Sequence, residues 1–287
     1  MIKKISSIME KNLMKMQVLN GVRKIEDIFH REGIECFIVY EEKNLIGVIT
    51  EKELVGAHPN RLAADVMSDK YLCVDYGIYI WEIKEIFNLN RDVNVILAEK
   101  EHKIVGYITR TTLHAELGKY FDSLTGLYKR DYMFYQVYKL IKQGKHATII
   151  FIDLNNFGDI DKKYGHIIGD IVLKDVADIL KNILESNHYL YRYGGDEFTI
   201  VTPYGTTASR LLAEKIIRLI KSHLFLNDIS ISASIGITGC RIQNNKIENI
   251  SALISKLVNI ASLASTKAKK DRNHLVIVED LNIDEIA

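Results

Sequence analysis

The first 115 residues of this 287-residue chain repeat themselves. At an offset of about 58 residues, room for one supersecondary unit per copy, Val22, Ile25, Ile28 and Phe29 recur as Ile80, Ile83, Ile86 and Phe87, and Ile8-Met9 recurs as Val66-Met67. Both apolar sets fall at i, i+3, i+6 and i+7, the spacing of a helix with one buried face. Each helix is expected to lead into an apolar strand (Cys36 to Tyr40; Val93 to Ala98), a charged turn and a second strand (Leu45 to Thr50; Ile104 to Thr109). Gly47-Val48-Ile49-Thr50 then matches Gly106-Tyr107-Ile108-Thr109, and short helical starts follow at Glu51 to Leu54 and Arg110 to Leu113. Trp81, beside Ile80, reads as a core aromatic, and His30, His58, His102 and His114 lack metal-ligand partners at helical spacing.

Residues 116–121 carry no proline and are helix-compatible, so they read as a stiff connecting helix, bent near Gly118. The pattern then changes. A helix is expected over Lys129 to Ile141, followed by the apolar run Ala147 to Ile152, short enough for a strand buried on both faces. That run stops on Asp153, and a carboxylate at the end of a buried strand suits a hard cation and its phosphate oxygens better than a core. A glycine-containing loop and a helix from about His166 come next, then two β-prone stretches joined by Gly194-Gly195 and followed at once by Asp196 and Glu197. The glycine pair suits the central positions of a tight hairpin, where φ is positive and a ligand can approach the backbone. Alternation along a strand would send the two carboxylates to opposite faces. A helix (Thr207 to Leu224), a strand (Ile229 to Thr238), a helix (Ile250 to Lys269) and a strand (Leu275 to Val278) complete an α/β sheet with the outline of a nucleotidyl-transfer site.

Composition narrows the function classes. Lys plus Arg (38) balances Asp plus Glu (37), so no basic field is available for nucleic acid. Cys36, Cys73 and Cys240 have no zinc or redox spacing and read as reduced core thiols. No apolar run reaches the roughly 20 residues of a membrane helix, and the N-terminus lacks an export signal, so a cytoplasmic protein with no membrane partner is expected.

Residues 1–115 resemble a pair of cystathionine-β-synthase (CBS) repeats, which implies a two-repeat disc for sensing or dimerisation, with a cleft for adenosine-containing ligands. Where nucleotide-binding members place an Asp three residues after the Gly-x-x-Thr threonine, this chain has Glu53 and Thr112. A ligand sensor and a plain dimer scaffold both remain open here. Residues 122–287 resemble a GGDEF diguanylate cyclase domain through Asp122-Ser-Leu-Thr-Gly-Leu127, the segment Asp153 to Asp170 and Arg192 to Phe198. The implied fold class is therefore α/β (α+β): an N-terminal CBS pair, a connecting helix over 116–121, and a nucleotide-cyclase-like palm with helices flanking a central sheet.

The resemblance implies that two facing domains of a homodimer condense two GTP into cyclic di-GMP and two pyrophosphates. It implies Mg²⁺, with Mn²⁺ as the alternative ion, on Asp153, the Leu154 carbonyl, Asp196 and Glu197, with Asp196 also accepting the 3′-hydroxyl proton. It further implies GTP contacts from Asp161, His166, Asp170, Gly194, Gly195 and Arg272, with Lys267 or Lys269 as an undecided companion of Arg272. Two residues depart from the family pattern. Gly158 stands where a phosphate-facing lysine is usual, leaving Lys162 or Lys163 as substitutes, and Asp161 replaces an asparagine, removing a donor to the guanine carbonyl. Glu185-Ser186-Asn187-His188 replaces the product-inhibition motif, so feedback there is not expected. The alternatives are a catalytically silent GTP-binding module and a cyclase for a different purine pair.

Overall fold

The repeated pattern becomes two copies of one small α/β unit. In the computed structural model, which describes residues 2–241, 249–271 and 273–278, the chain separates into a unit of Lys3–Lys119 and a second unit running on from Tyr120. The first copy comprises β1 (Leu13–Gln17), α1 (Val22–Glu32), β2 (Cys36–Glu41), β3 (Asn44–Thr50) and α2 (Glu51–Leu54). The second comprises α3 (Ala63–Val66), β4 (Tyr71–Asp75), α4 (Ile80–Leu89), β5 (Val95–Lys100), β6 (Lys103–Thr109) and α5 (Arg110–Gly118). Each forms a three-stranded sheet in the order β1-β2-β3 or β4-β5-β6, with the first pair parallel and the second antiparallel. The parallel strands β1 and β4 have no counterpart in the sequence reading. Neither is a solidly apolar run, and only Met16 among their residues is fully buried.

The two copies exchange segments. Ser68 and Val48 bond to each other through both backbone groups, and Glu10 and Tyr107 do the same. Residues 62–68 thus finish the first sheet and residues 5–10 the second, the places where the Met67 and Met9 side chains lie against Gly47 and Gly106. A Cβ on Gly106 would fall 2.7 Å from both the Met9 sulfur and the Glu10 carbonyl oxygen, which accounts for a glycine at that strand position. The same close approach explains why Ile8-Met9 repeats as Val66-Met67. Helix ends are closed by different means: α1 stops on Gly33 in the left-handed region (φ 64°). The α4 end is instead held by Arg110, whose guanidinium donates to the carbonyls of Phe87, Asn90 and Val93. Trp81 is buried. Cys36 and Cys240 are buried as well, and burial, aided by the nearby Glu53 charge, pushes the Cys36 thiol up to about 12. Cys73 corrects the expectation of three core thiols: it lies on edge strand β4 and points outward, exposed.

In the second unit β7 (Phe121–Asp122) and β8 (Leu127–Lys129) precede α6 (Arg130–Lys142), β9 (Ala147–Leu154), α7 (Phe157–Tyr164) and α8 (His166–Ile183). Then follow β10 (Tyr189–Gly194), β11 (Glu197–Thr202), α9 (Thr206–Ser222), β12 (Ala233–Cys240), α10 (Ile250–Ala268) and β13 (Leu275–Ile277). The connector differs from the helix expected over 116–121: helix α5 ends at Gly118, and Phe121-Asp122 is a strand paired with Leu127-Tyr128. Strand β12 begins at Ala233, four residues later than the apolar pattern indicated, because Leu226–Asp228 forms a short 3-10 turn and Ile229 and Ile231 bury themselves without joining the ladder.

The seven-stranded sheet has the order β13-β12-β9-β11-β10-β8-β7. Central β9 is buried along its whole length. Its Ile150, Ile152 and Leu154 pack with α7, α8 and α9 on one face, and Ala147, Ile149 and Phe151 pack with α6 and α10 on the other. That two-sided burial is why the run is apolar without alternation. Helix α10 lies unusually close to β12 at Gly236, where a Cβ would sit 2.1 Å from the Ala261 carbonyl oxygen and 2.4 Å from the Ser265 nitrogen.

Candidate active site

The end of β9 brings the acidic residues together. Register pairs Asp153 with Glu197 of β11 on one side and with Ser234 of β12 on the other. Asp153 and Glu197 therefore stand abreast on one face, at the open end of the most buried strands. Asp153 is only 9% exposed.

The hairpin departs from the turn expected around Gly194-Gly195. Gly194 pairs with Glu197, so the two-residue turn is Gly195-Asp196, with positive φ at Gly195 (40°) and Tyr193 bulged out of the ladder. Asp196 thus belongs to the turn, and the alternation argument for opposite faces does not apply to it. Its carbonyl accepts from the Leu154 N–H (3.4 Å), which ties the turn to the end of β9.

Arg192 clamps this turn. Its guanidinium donates twice to the Gly195 carbonyl (3.0 and 2.8 Å) and twice to Asp122 (3.1 and 3.0 Å). Asp122 also accepts from the Thr125 N–H and hydroxyl (2.9 and 2.6 Å). Burial pushes the Asp122 carboxyl up, but the Thr125 hydrogen bonds and the Arg192 charge outweigh it and leave the group below the usual carboxylate range. The Asp-Ser-Leu-Thr segment is therefore the anchor of the carboxylate turn, a role that its sequence alone did not disclose.

Burial pushes Asp196 and Glu197 above the ordinary carboxylate range, and the Asp153 charge adds to both. Lys269, at the end of α10, pulls both back and places its Nζ 2.9 Å from Asp153 Oδ1. Of the two lysines named in the sequence, Lys269 faces the carboxylates. Arg272, its expected companion, lies outside the described residues.

Asp161 of α7 meets His166, with Asp161 Oδ2 3.1 Å from His166 Nδ1, and its charge also raises Asp196. Gly169 makes room for them, since a Cβ there would fall 2.0 Å from Asp161 Oδ1. Asp170 is exposed on α8. The glycine-containing loop expected before His166 is instead the two-turn helix α7, with Gly158 in its first turn and no atom within 4 Å of a Cβ placed there. Lys162 leans on Asp159 (3.6 Å). Lys163 lies over the Tyr164 ring and lines a cleft with Asn155, Asn156, Lys221 and His274.

The donor set suits a hard divalent cation: carboxylate oxygens of Asp153, Asp196 and Glu197 and the carbonyl of Leu154, in a partly desolvated place where negative charge exceeds positive. No three described acidic, histidine or cysteine side chains converge at metal-ligand distance, and the ammonium of Lys269 holds Asp153.

A mixed sheet with helices on both faces and carboxylates gathered at the end of its central strands defines a nucleotide-cyclase-like palm. The chain belongs to the diguanylate cyclase GGDEF-domain family, whose model matches residues 119–274, and the CBS domain model matches residues 5–60 and 63–119. It is 35% identical over 121 residues to diguanylate cyclase DgcS of Shewanella oneidensis, covering 40% of each chain. It is 31% identical over 138 residues to diguanylate cyclase VdcA of Vibrio cholerae, covering 45% of this chain and 40% of that one. The matches thus span about two fifths of these relatives' lengths. The fold is similar to that of the coiled coil and GGDEF domain of DgcB from Caulobacter crescentus, with a TM-score of 0.50 and 18% identity over 57% of this chain and 88% of that one. Among the described residues no helix is long and apolar enough to cross a membrane.

Proposed function

We propose that the chain is a diguanylate cyclase that condenses two GTP into cyclic di-GMP, acting as a homodimer under the control of its CBS pair. The observation that carries this reading is the row of Glu197 and Asp153 in register, with Asp196 on the turn beside them. Asp153, the Leu154 carbonyl, Asp196 and Glu197 would hold Mg²⁺ or Mn²⁺, whose chemistry is to neutralise phosphate charge and acidify the attacking hydroxyl. Asp196 takes the 3′-hydroxyl proton as the oxygen bonds to the partner substrate's α-phosphorus and pyrophosphate departs. Its burial raises its basicity toward the range useful for that transfer. Gly195, with no side chain, leaves the turn open to ribose and phosphate. Asp161, held against His166, and exposed Asp170 face the purine, Asp161 accepting from its N–H groups. Lys269 and Arg272 serve the phosphates.

The departures at Gly158 and Asp161 support a second reading, a silent GTP-binding module. In the CBS pair, Glu53 Oε2 is engaged by the Thr50 N–H and hydroxyl (2.9 and 2.6 Å), which ties one of its two carboxylate oxygens to the start of the helix. A cleft of about 510 Å³ beside Thr112, bordered by Lys3, Ser7, Glu10 and Lys119, favours the second repeat for an adenine nucleotide. Incubation of the full chain with Mg²⁺ and GTP, ATP or both, followed by product chromatography, tests the proposal. Cyclic di-GMP from GTP alone supports it. Metal-dependent GTP binding without any cyclic product favours the silent module, and a mixed or adenine product overturns the base assignment.

A further inference from the structure

The Lys269 ammonium and a divalent cation at Asp153 are rivals for one carboxylate. Nζ lies 2.9 Å from Oδ1, and the Asp153 side chain is only 13% exposed, so water cannot easily screen two cations placed on it. Helix α10 cannot retreat to relieve the rivalry, because its backbone at Ala261 and Ser265 is pressed against Gly236 of β12. Lysine's four-carbon stem can swing, and its 42% exposure leaves it room. Moving the ammonium away leaves a charge that needs another anion close by, and the polyphosphate of a nucleotide bound at Asp153 supplies one.

We infer that Lys269 is a gate that makes metal loading depend on the nucleotide: it holds Asp153 until a polyphosphate draws it off, and only then is the Asp153 carboxylate free for the metal. The inference rests on the nucleotide-site reading above but not on turnover. Lys269 meets the polyphosphate directly in this scheme and acts on the metal through Asp153. Because coupling between two ligands is reciprocal, the gate predicts effects of opposite sign when the lysine is removed. A merely structural lysine would weaken both ligands together.

The test is Mn²⁺ binding to the full-length protein followed by electron paramagnetic resonance, without nucleotide, for wild type, Lys269→Met, Lys269→Arg and Lys269→Met/Asp153→Asn. Lys269→Met is expected to bind Mn²⁺ about tenfold more tightly than wild type, within the range typical of coupled sites. The same variant is expected to bind a non-hydrolysable GTP analogue with Mn²⁺ more weakly. Lys269→Arg should keep the wild-type weakness for metal, and the double variant should lose the gained affinity, which places it at Asp153. Unchanged or weaker Mn²⁺ binding by a folded Lys269→Met overturns the gate, as does a gain that survives Asp153→Asn. Opposite-sign shifts in a protein that makes no cyclic product would uphold the gate while the cyclase assignment falls.

Discussion

Gly236→Ala is the substitution whose cost the structure fixes most closely. The added methyl would meet the Ala261 carbonyl oxygen at 2.1 Å, the Ser265 nitrogen at 2.4 Å and the Ala264 Cβ at 2.8 Å. A carbon normally approaches a carbonyl oxygen no closer than about 3.3 Å, so one side must yield by about 1 Å. No rotamer change can absorb this, because two of the three clashing atoms are backbone. Strand β12 cannot yield either, being paired to β9 on one side and β13 on the other. Overpacking of this kind costs about 1–3 kcal/mol, and the backbone character puts this case near the top. For a domain of this size about 3 kcal/mol lowers Tm by roughly 6–12 °C. Gly158→Ala is the matched control: its methyl meets nothing within 4 Å and it lies in α7. Helix propensity should make that change worth about 0.5–1 kcal/mol in the stabilising direction. Calorimetry of the two variants, following the transition of the GGDEF unit, provides the comparison. If Gly236→Ala melts within about 2 °C of the parent protein, the α10–β12 contact is not the constraint described here.

Other expectations follow from the same geometry. Asp196 and Glu197 are held above their usual range, so each folded carboxyl binds its proton more tightly than in the unfolded chain. Their ionisation therefore destabilises the fold as pH rises through the folded value. Asp196→Asn without added metal should raise stability at pH 7 more than near pH 3, as read from urea unfolding at the two pH values. Arg192→Ala leaves Asp122 without its cation and frees the Gly195 carbonyl, so hydrogen exchange of the turn amides should quicken while exchange in the β9 core holds steady. Gly158→Lys introduces the phosphate-facing lysine usual in the family into open space; turnover of GTP should rise with Tm unchanged or slightly raised by the gain in helix propensity, and a clear loss of Tm would show the space to be otherwise occupied.

Much of the architecture is written in local patterns. The helices at Val22 and Ile80 and the hairpins after them follow from 3.6-residue and strand periodicity, and strand β9 is an unbroken apolar run because both its faces are covered. What escaped the sequence depends on long-range contact. Strands β1 and β4 pair in parallel with segments more than twenty residues away, and the exchange of residues 5–10 and 62–68 between the repeats is a tertiary choice that the repeat itself does not encode. The carboxylates Asp153, Asp196 and Glu197 were legible as a group, yet the position of Asp196 on the turn depends on the bulge at Tyr193. Lys269 could not be chosen over Lys267 from spacing alone. The ion pair of Lys269 with Asp153 is a contact between residues more than a hundred positions apart. Likewise Asp122 and Arg192 lie 70 residues apart, and nothing short of the folded sheet joins them.

The measurement that bears most directly on the central claim is the stoichiometry of pyrophosphate release by the full chain with Mg²⁺ and GTP, read alongside cyclic di-GMP. The account predicts two pyrophosphates for each cyclic di-GMP from the wild-type protein, and loss of both products together in Asp196→Asn while GTP binding persists. GTP bound by a folded wild-type protein with neither product released, or product formation undiminished in Asp196→Asn, would contradict it.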